Sequence, residues 1–153
     1  MLTIVDKVLF LQNVDIFDHS TTEELSFIAS IAREVEDPKG SILFREGQNA
    51  DAMYLVIRGR VRLHKGNQEI LVAGERRAFG TWALFDNEPR LMTATALEDV
   101  HLLKIEQEEF YDLLSDHVEI TQSIFKALVQ RIKGLIGNQE HVPSPAQPSS
   151  QAN

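Results

Sequence analysis

The run Phe79-Gly-Thr-Trp-Ala-Leu-Phe-Asp-Asn-Glu-Pro-Arg90 holds the chain's most pointed set of chemically useful residues. Gly80 opens a short segment of Thr81, Trp82, Ala83 and Leu84, and Arg90 follows a turn at Asn87-Glu88-Pro89. The segment reads as a brief helix set among strands. The first turn of a helix offers backbone N–H groups, here around Trp82, Ala83 and Leu84, which attract an anion together with the helix dipole. Arg90 adds a planar, permanently charged fork to the same anion. The spacing thus predicts a seat for one phosphate-sized group. The structural alternatives are that Arg90 pairs with one of the abundant carboxylates and that Trp82 packs on a core instead of stacking on a ligand.

Other chemistry is weakly represented. His64 and His101 stand singly on separate strand-like runs, whereas a barrel-type metal site needs paired ligands, so no metal is expected. The chain has no cysteine, and no serine or threonine comes with a recognisable base and orienter. Asp86 and Glu88 read as turn acids, and Glu75-Arg76-Arg77 as a solvated loop, with a guard at the pocket mouth as the alternative. The expectation is a protein without catalytic activity or cofactor. With 15 basic and 23 acidic residues the net charge is −8, against the basic face that nucleic-acid binding requires. No apolar run reaches the roughly 18 residues of a membrane span, and Asp6 and Lys7 interrupt the first apolar run, unlike a signal peptide. A reducing, cytoplasmic setting fits the absence of cysteine.

Three zones must position these residues. The first is helical: Val5, Val8, Leu9 and Gln12 recur at helical spacing, and a second helix begins at Thr22 with Ser20 or Thr21 as its cap. Leu25, Ile28 and Ala29 form that helix's apolar face, and Pro38 and Gly40 close the zone. Residues 41–105 are strand-like, in short runs such as "SILFREG", "MYLVIRG" and "RVRLHKG", most ending in a turn glycine. In "RVRLH", Val61 and Leu63 alternate with Arg60, Arg62 and His64, which predicts a half-buried strand. Short strands at close intervals favour a sandwich or barrel. Two helices follow. The longer, over 118–136, carries one seam of Val118, Phe125, Leu128, Ile132 and Leu135 and a second of Ile120, Ile124, Val129 and Ile136. One seam is expected to pack on the domain and the other to meet a partner, either a second copy or an attached effector. Gly137 is expected to end the helix and the domain, and residues 138–153, rich in Pro, Ser and Gln, to be disordered.

Taken in order, Gly40, Gly47, Met53-Tyr54-Leu55, Gly59, Gly74, Phe79-Gly80, Ala83-Leu84, Pro89-Arg90 and Thr93 resemble the cyclic nucleotide-binding domain family over roughly residues 10–136. The resemblance implies a mostly β fold, a β-roll with an N-terminal helical bundle and C-terminal helices. It also implies a phosphate-binding cassette over 79–93 in which Arg90 pairs with the cyclic phosphate of cAMP, cGMP or another small phosphorylated anion. In the family an acid accepts from the ribose 2′-hydroxyl where this chain has Thr81, and small residues stand where it has Leu91 and Met92. Arg76 takes a loop position that is often glycine. Loss of one hydrogen bond to a charged group, about 1.5–3 kcal/mol, implies cyclic nucleotide affinity weakened by about 10- to 150-fold. The resemblance therefore leaves two readings: a regulatory sensor, or a degenerate fold used for protein contact, its pocket closed by Leu91 and Met92. No helix-turn-helix follows Gly137, so a complete transcription factor is not expected.

Overall fold

In a computed structural model, residues 1–140 are described, with side chains through residue 137. The chain begins with α1 (Ile4–Leu11), a 3-10 turn (Asp15–Phe17) and α2 (Thr22–Ile31). Thr3 and Thr21 each close a capping box, with Asp6 and Glu24 respectively answering the cap's own N–H. The α1 face differs from the expected one: Val8 and Leu11 are buried, while Val5 and Leu9 point to solvent. Leu25, Ile28 and Ala29 of α2 lie in the core as expected.

Eight strands follow: β1 (Arg33–Asp37), β2 (Ile42–Phe44), β3 (Ala52–Arg58), β4 (Val61–Lys65), β5 (Gln68–Ala73), β6 (Ala78–Phe79), β7 (Thr93–Ala96) and β8 (Val100–Glu106). They form two four-stranded sheets, in the orders β1-β8-β3-β6 and β2-β7-β4-β5, and all their pairings are antiparallel. This is the expected β-roll between helices. β3 and β8 pair along most of their length and are covered on both faces. Met53, Leu55, Leu103 and Ile105 point into a core shared with the helices, while Tyr54, Val56, Val100 and Leu102 point into the interior of the roll. A strand buried on both faces needs no polar side, which is why "MYLVI" reads as a continuous apolar run. β4 shows the opposite pattern: Val61 and Leu63 are buried between more exposed neighbours. Gly59 makes the β3–β4 turn at φ +93°, where an added Cβ would sit 2.7 Å from the Asp99 carbonyl oxygen.

Two helices finish the described chain, α3 (Gln107–Asp116) and α4 (Val118–Glu140). α4 does not stop at Gly137. A glycine ends a helix by taking a left-handed conformation, and Gly137 is not among the positive-φ residues. The helix continues at least to Glu140, so the first three residues of the expected disordered tail are helical and the rest of 138–153 lies outside the described residues. Neither expected seam of α4 survives intact. Ile120, Ile124 and Ala127 are buried, Leu128 is half-buried, and Phe125, Val129, Ile132, Leu135 and Ile136 are exposed.

Glu34 on β1 ties the N-terminus to the β1-β8-β3-β6 sheet. Its carboxylate accepts from the Leu2 N–H at 2.8 Å and meets His101 Nε2 of β8 at 2.8 Å. The Leu2 N–H in particular holds the Glu34 carboxyl below the ordinary 4.5, with His101 assisting against partial burial. A carboxyl lowered in the folded state contributes stability above the ordinary value and loses it as pH falls through the folded one. Glu34→Gln should therefore lower the melting temperature at pH 7 and flatten its decline below about pH 4.5. Melting curves from pH 3 to 7 check this; parallel acid limbs in the two proteins would contradict it.

Candidate functional site

The residues from β6 to β7 fold into a 3-10 turn, Thr81–Leu84, and a bend that returns Arg90 toward β3. Gly80 caps the turn in the left-handed region at φ +72°. The turn is short, and the Ala83 N–H donates to the Gly80 carbonyl at 3.1 Å. It therefore offers neither the full dipole nor the open Ala83 donor expected from a longer helix. α3 holds it from below: Gln107 Nε2 donates to the carbonyls of Ala83 at 2.7 Å and Asp86 at 3.1 Å. Phe85 adds an edge-to-face contact with Phe110 of α3, ring centroids 6.2 Å apart.

Arg90 is the centre of the site. Its backbone is fixed by exchange with the neighbouring loop: its N–H donates to Gln48 O at 2.7 Å, and its carbonyl accepts from Gly47 N at 2.9 Å. The residue is only 6% exposed. Nη2 donates to the Ala52 carbonyl at 2.7 Å, and the guanidinium lies 3.8 Å from the centre of the Phe44 ring. The nearest carboxylate, Asp51, stands 3.8 Å away and is itself mostly in water. Structural pairing with a carboxylate is therefore a minor part of what holds Arg90. Nε is buried without a partner. Burial pulls the pKa of the guanidinium below its ordinary value, opposed by Tyr54 and Asp51. A buried cation with an unmet donor gains more from an anion than an exposed one does.

Arg90 opens onto a pocket of about 280 Å³. Phe44, Leu63, Leu91 and Met92 provide apolar walls, Gly80 and Ala83 one edge, and Asp86 and Glu88 stand at its exposed margin. Of the residues singled out from sequence, Gly80, Trp82, Ala83, Arg90, Leu91 and Met92 meet here. Two do not. Leu84 is fully buried in the helical core, and Thr81 lines a separate cavity on the other side of the turn. Trp82 is not packed as expected but 72% exposed, on the rim of both cavities. Leu91 is also exposed and leaves the pocket open. The sequence reading missed Phe44 and Leu63. The inward register of Leu63 was visible, but not that two sheets would bring it and Phe44 to Arg90.

Arg76 and Arg77 are exposed, as expected of a solvated loop, and both also line the Thr81 cavity. Arg76 holds φ +71°, a left-handed conformation, so this loop keeps the backbone of a glycine with a large side chain on it.

Gly80 is glycine for two reasons: its positive φ, and the approach of Arg90 Nη1 to 2.7 Å from where a Cβ would stand. Gly80→Ala should destabilise by about 1–2 kcal/mol from conformation alone, lowering the melting temperature by about 2–8 °C. It should also displace the guanidinium from the Ala52 carbonyl. Thermal melts and the Arg90 side-chain NMR signals check both; an unshifted guanidinium signal would contradict the second.

Comparison with known proteins gives consistent relatives. Residues 34–117 match the family model described as the cyclic nucleotide-binding domain. A "CRP-like cAMP-activated global transcriptional regulator" of Mycobacterium tuberculosis is 27% identical over 72% of this chain and 53% of its own length. The "Cyclic AMP receptor protein" of Thermus thermophilus is 30% identical over 77% of this chain and 57% of its own. The chain thus spans about half the length of these curated relatives. Among solved structures, the N-terminal domain of a transcriptional regulator from Streptomyces coelicolor A3(2) superposes with a TM-score of 0.78 at 27% identity. That match covers 82% of this chain and 94% of the other.

Proposed function

The chain belongs to the cyclic nucleotide-binding domain family, and from that premise we propose that it is a non-catalytic sensor module that seats a small phosphorylated anion on Arg90. The observation that carries this reading is the Arg90 guanidinium: buried, carrying an unpartnered Nε, and opening on an apolar-walled pocket. cAMP and cGMP are the first candidates, with the base against Phe44, Leu63 and Met92. Their affinity is low for the family. Thr81 has no carboxylate and faces away from this pocket, while Asp86 and Glu88 at the margin oppose a phosphate's charge. No metal or other cofactor is required.

Signal transfer runs through the turn. Gln107 joins the carbonyls of Ala83 and Asp86 to the first residue of α3, so an anion that shifts the turn also shifts α3 and α4. The ligand shifts the balance between the two states by no more than its differential affinity for them. The exposed apolar face of α4 receives a second copy of the chain or an attached effector. This module makes no direct nucleic-acid contact, in keeping with its charge of −8, and it works in the cytoplasm. Among the described residues, no helix is long and apolar enough to cross a membrane.

Thermal melts with cAMP, cGMP and inorganic phosphate test the ligand. At 100 times its dissociation constant a ligand adds about 2.7 kcal/mol, or about 5–10 °C here. Arg90→Met keeps comparable volume and should weaken binding by about 10- to 150-fold. No shift with any of the three, on a sound melt, would favour the second reading: a contact module that binds no nucleotide, supported by the same α4 face. For that face, Phe125→Asp with Ile132→Asp should reduce a sedimenting dimer to monomer while the circular dichroism spectrum stays that of the folded chain. An unchanged mass distribution would remove the dimer.

A further inference from the structure

The cavity lined by Thr81 is separate from the Arg90 pocket, and the two share only Trp82 among their lining residues. It measures about 290 Å³ and lies where four parts of the chain meet: the Asp15–Phe17 turn, the loop before β6, the Thr81–Leu84 turn and α4. Its floor is apolar, from Val14, Ile16, Ala78, Phe85 and Leu128. Its rim is basic, with Arg76, Arg77 and Arg131. In a chain of net charge −8, three arginines against the single acid Asp15 make this a local reversal of sign.

These arginines are weakly engaged. Arg131 pairs with Asp15 at 2.9 Å, both side chains being largely in water. Among the described residues, the Arg76 side chain meets only the face of Phe10, at 5.2 Å, and the Arg77 side chain has no hydrogen bond, ion pair or ring contact. Arg76 is also the one non-glycine residue with positive φ among those described. Backbone strain of that kind persists where other interactions offset it and is concentrated at functional positions.

We propose that this cavity is a second ligand site, which takes a small amphiphilic anion: an aromatic or short acyl body carrying one carboxylate, sulfonate or phosphate. The body fills the apolar floor, and the anionic head meets Arg77 and Arg76, with Arg131 joining from α4. Burying an apolar body beside unpartnered cations satisfies both halves of such a ligand, whereas a neutral analogue leaves the arginines unmet. The site draws α4 toward the Thr81–Leu84 turn, so its occupant favours the conformation in which helix and turn are close.

The probe is 8-anilinonaphthalene-1-sulfonate, with neutral N-phenyl-1-naphthylamine as the same kind of ring body without the charge. Binding is followed by NMR at the indole N–H of Trp82, the chain's single tryptophan. The sulfonate should give a saturable shift, and Arg77→Glu should weaken it by about tenfold or more while leaving the melt unchanged. The neutral probe should bind at least about tenfold more weakly than the sulfonate. Equal affinity for the two probes, or no effect of Arg77→Glu, overturns the proposal. So does a loss produced by Arg90→Met, which places the probe in the other pocket, or by Phe125→Asp, which places it on the exposed face of α4. Because cyclic nucleotide binding is read through Arg90, failure here leaves that reading standing, and the reverse also holds.

Discussion

The constraint on which the rest depends is that one strand pair serves two cores. β3 and β8 are hydrogen-bonded to each other and covered on both faces, the roll on one side and the helices on the other. At roughly 25 cal/mol per Å² of apolar surface, a strand buried on both sides contributes about twice what a half-exposed one does. It also makes the two cores rigid with respect to each other, because they share a backbone. The Ala52 carbonyl that receives Arg90 belongs to this pair. The cation is thus fastened to the stiffest part of the molecule, and the turn that covers it is fastened to α3.

That attachment explains how a guanidinium can be buried with so little negative charge nearby. Desolvating a cation is unfavourable unless hydrogen bonds and an aromatic face compensate it. Ala52 supplies one bond and Phe44 the face, and Asp51, itself mostly in water, contributes a charge 3.8 Å away. The compensation is incomplete, as the bare Nε shows. An incompletely compensated cation facing a pocket is an electrostatic preference for anions that exists before any ligand arrives.

The fold was legible where a residue's role depends on near neighbours. Ser20 or Thr21 as a cap announced a helix start, which the structure places at Thr21, and Val61 and Leu63 announced a half-buried strand, because caps and alternation are local. The resemblance assembled from glycines in register supplied the roll itself. β1 was absorbed into the preceding helix, since "REVED" has little apolar content and becomes a strand only by pairing with β8. β6 and β7 were missed for similar reasons, two residues and "TATA" being too short or too small to show a pattern. At the site, Arg90 was readable from its motif, but the outward turn of Trp82 and the placing of Thr81 were not. Both follow from the left-handed Gly80, whose rotation of the next residues has no counterpart in composition or periodicity.

Gly80 and Thr81 are adjacent in the chain but belong to different cavities. A random coding change at 80 meets backbone strain and the Arg90 guanidinium together, whereas one at 81 meets a half-exposed wall. Mutational drift is therefore steeply filtered at one residue and nearly free at the next. A lineage can alter the wall of the Thr81 cavity step by step, by changes at 81, without disturbing the glycine against which the Arg90 guanidinium lies.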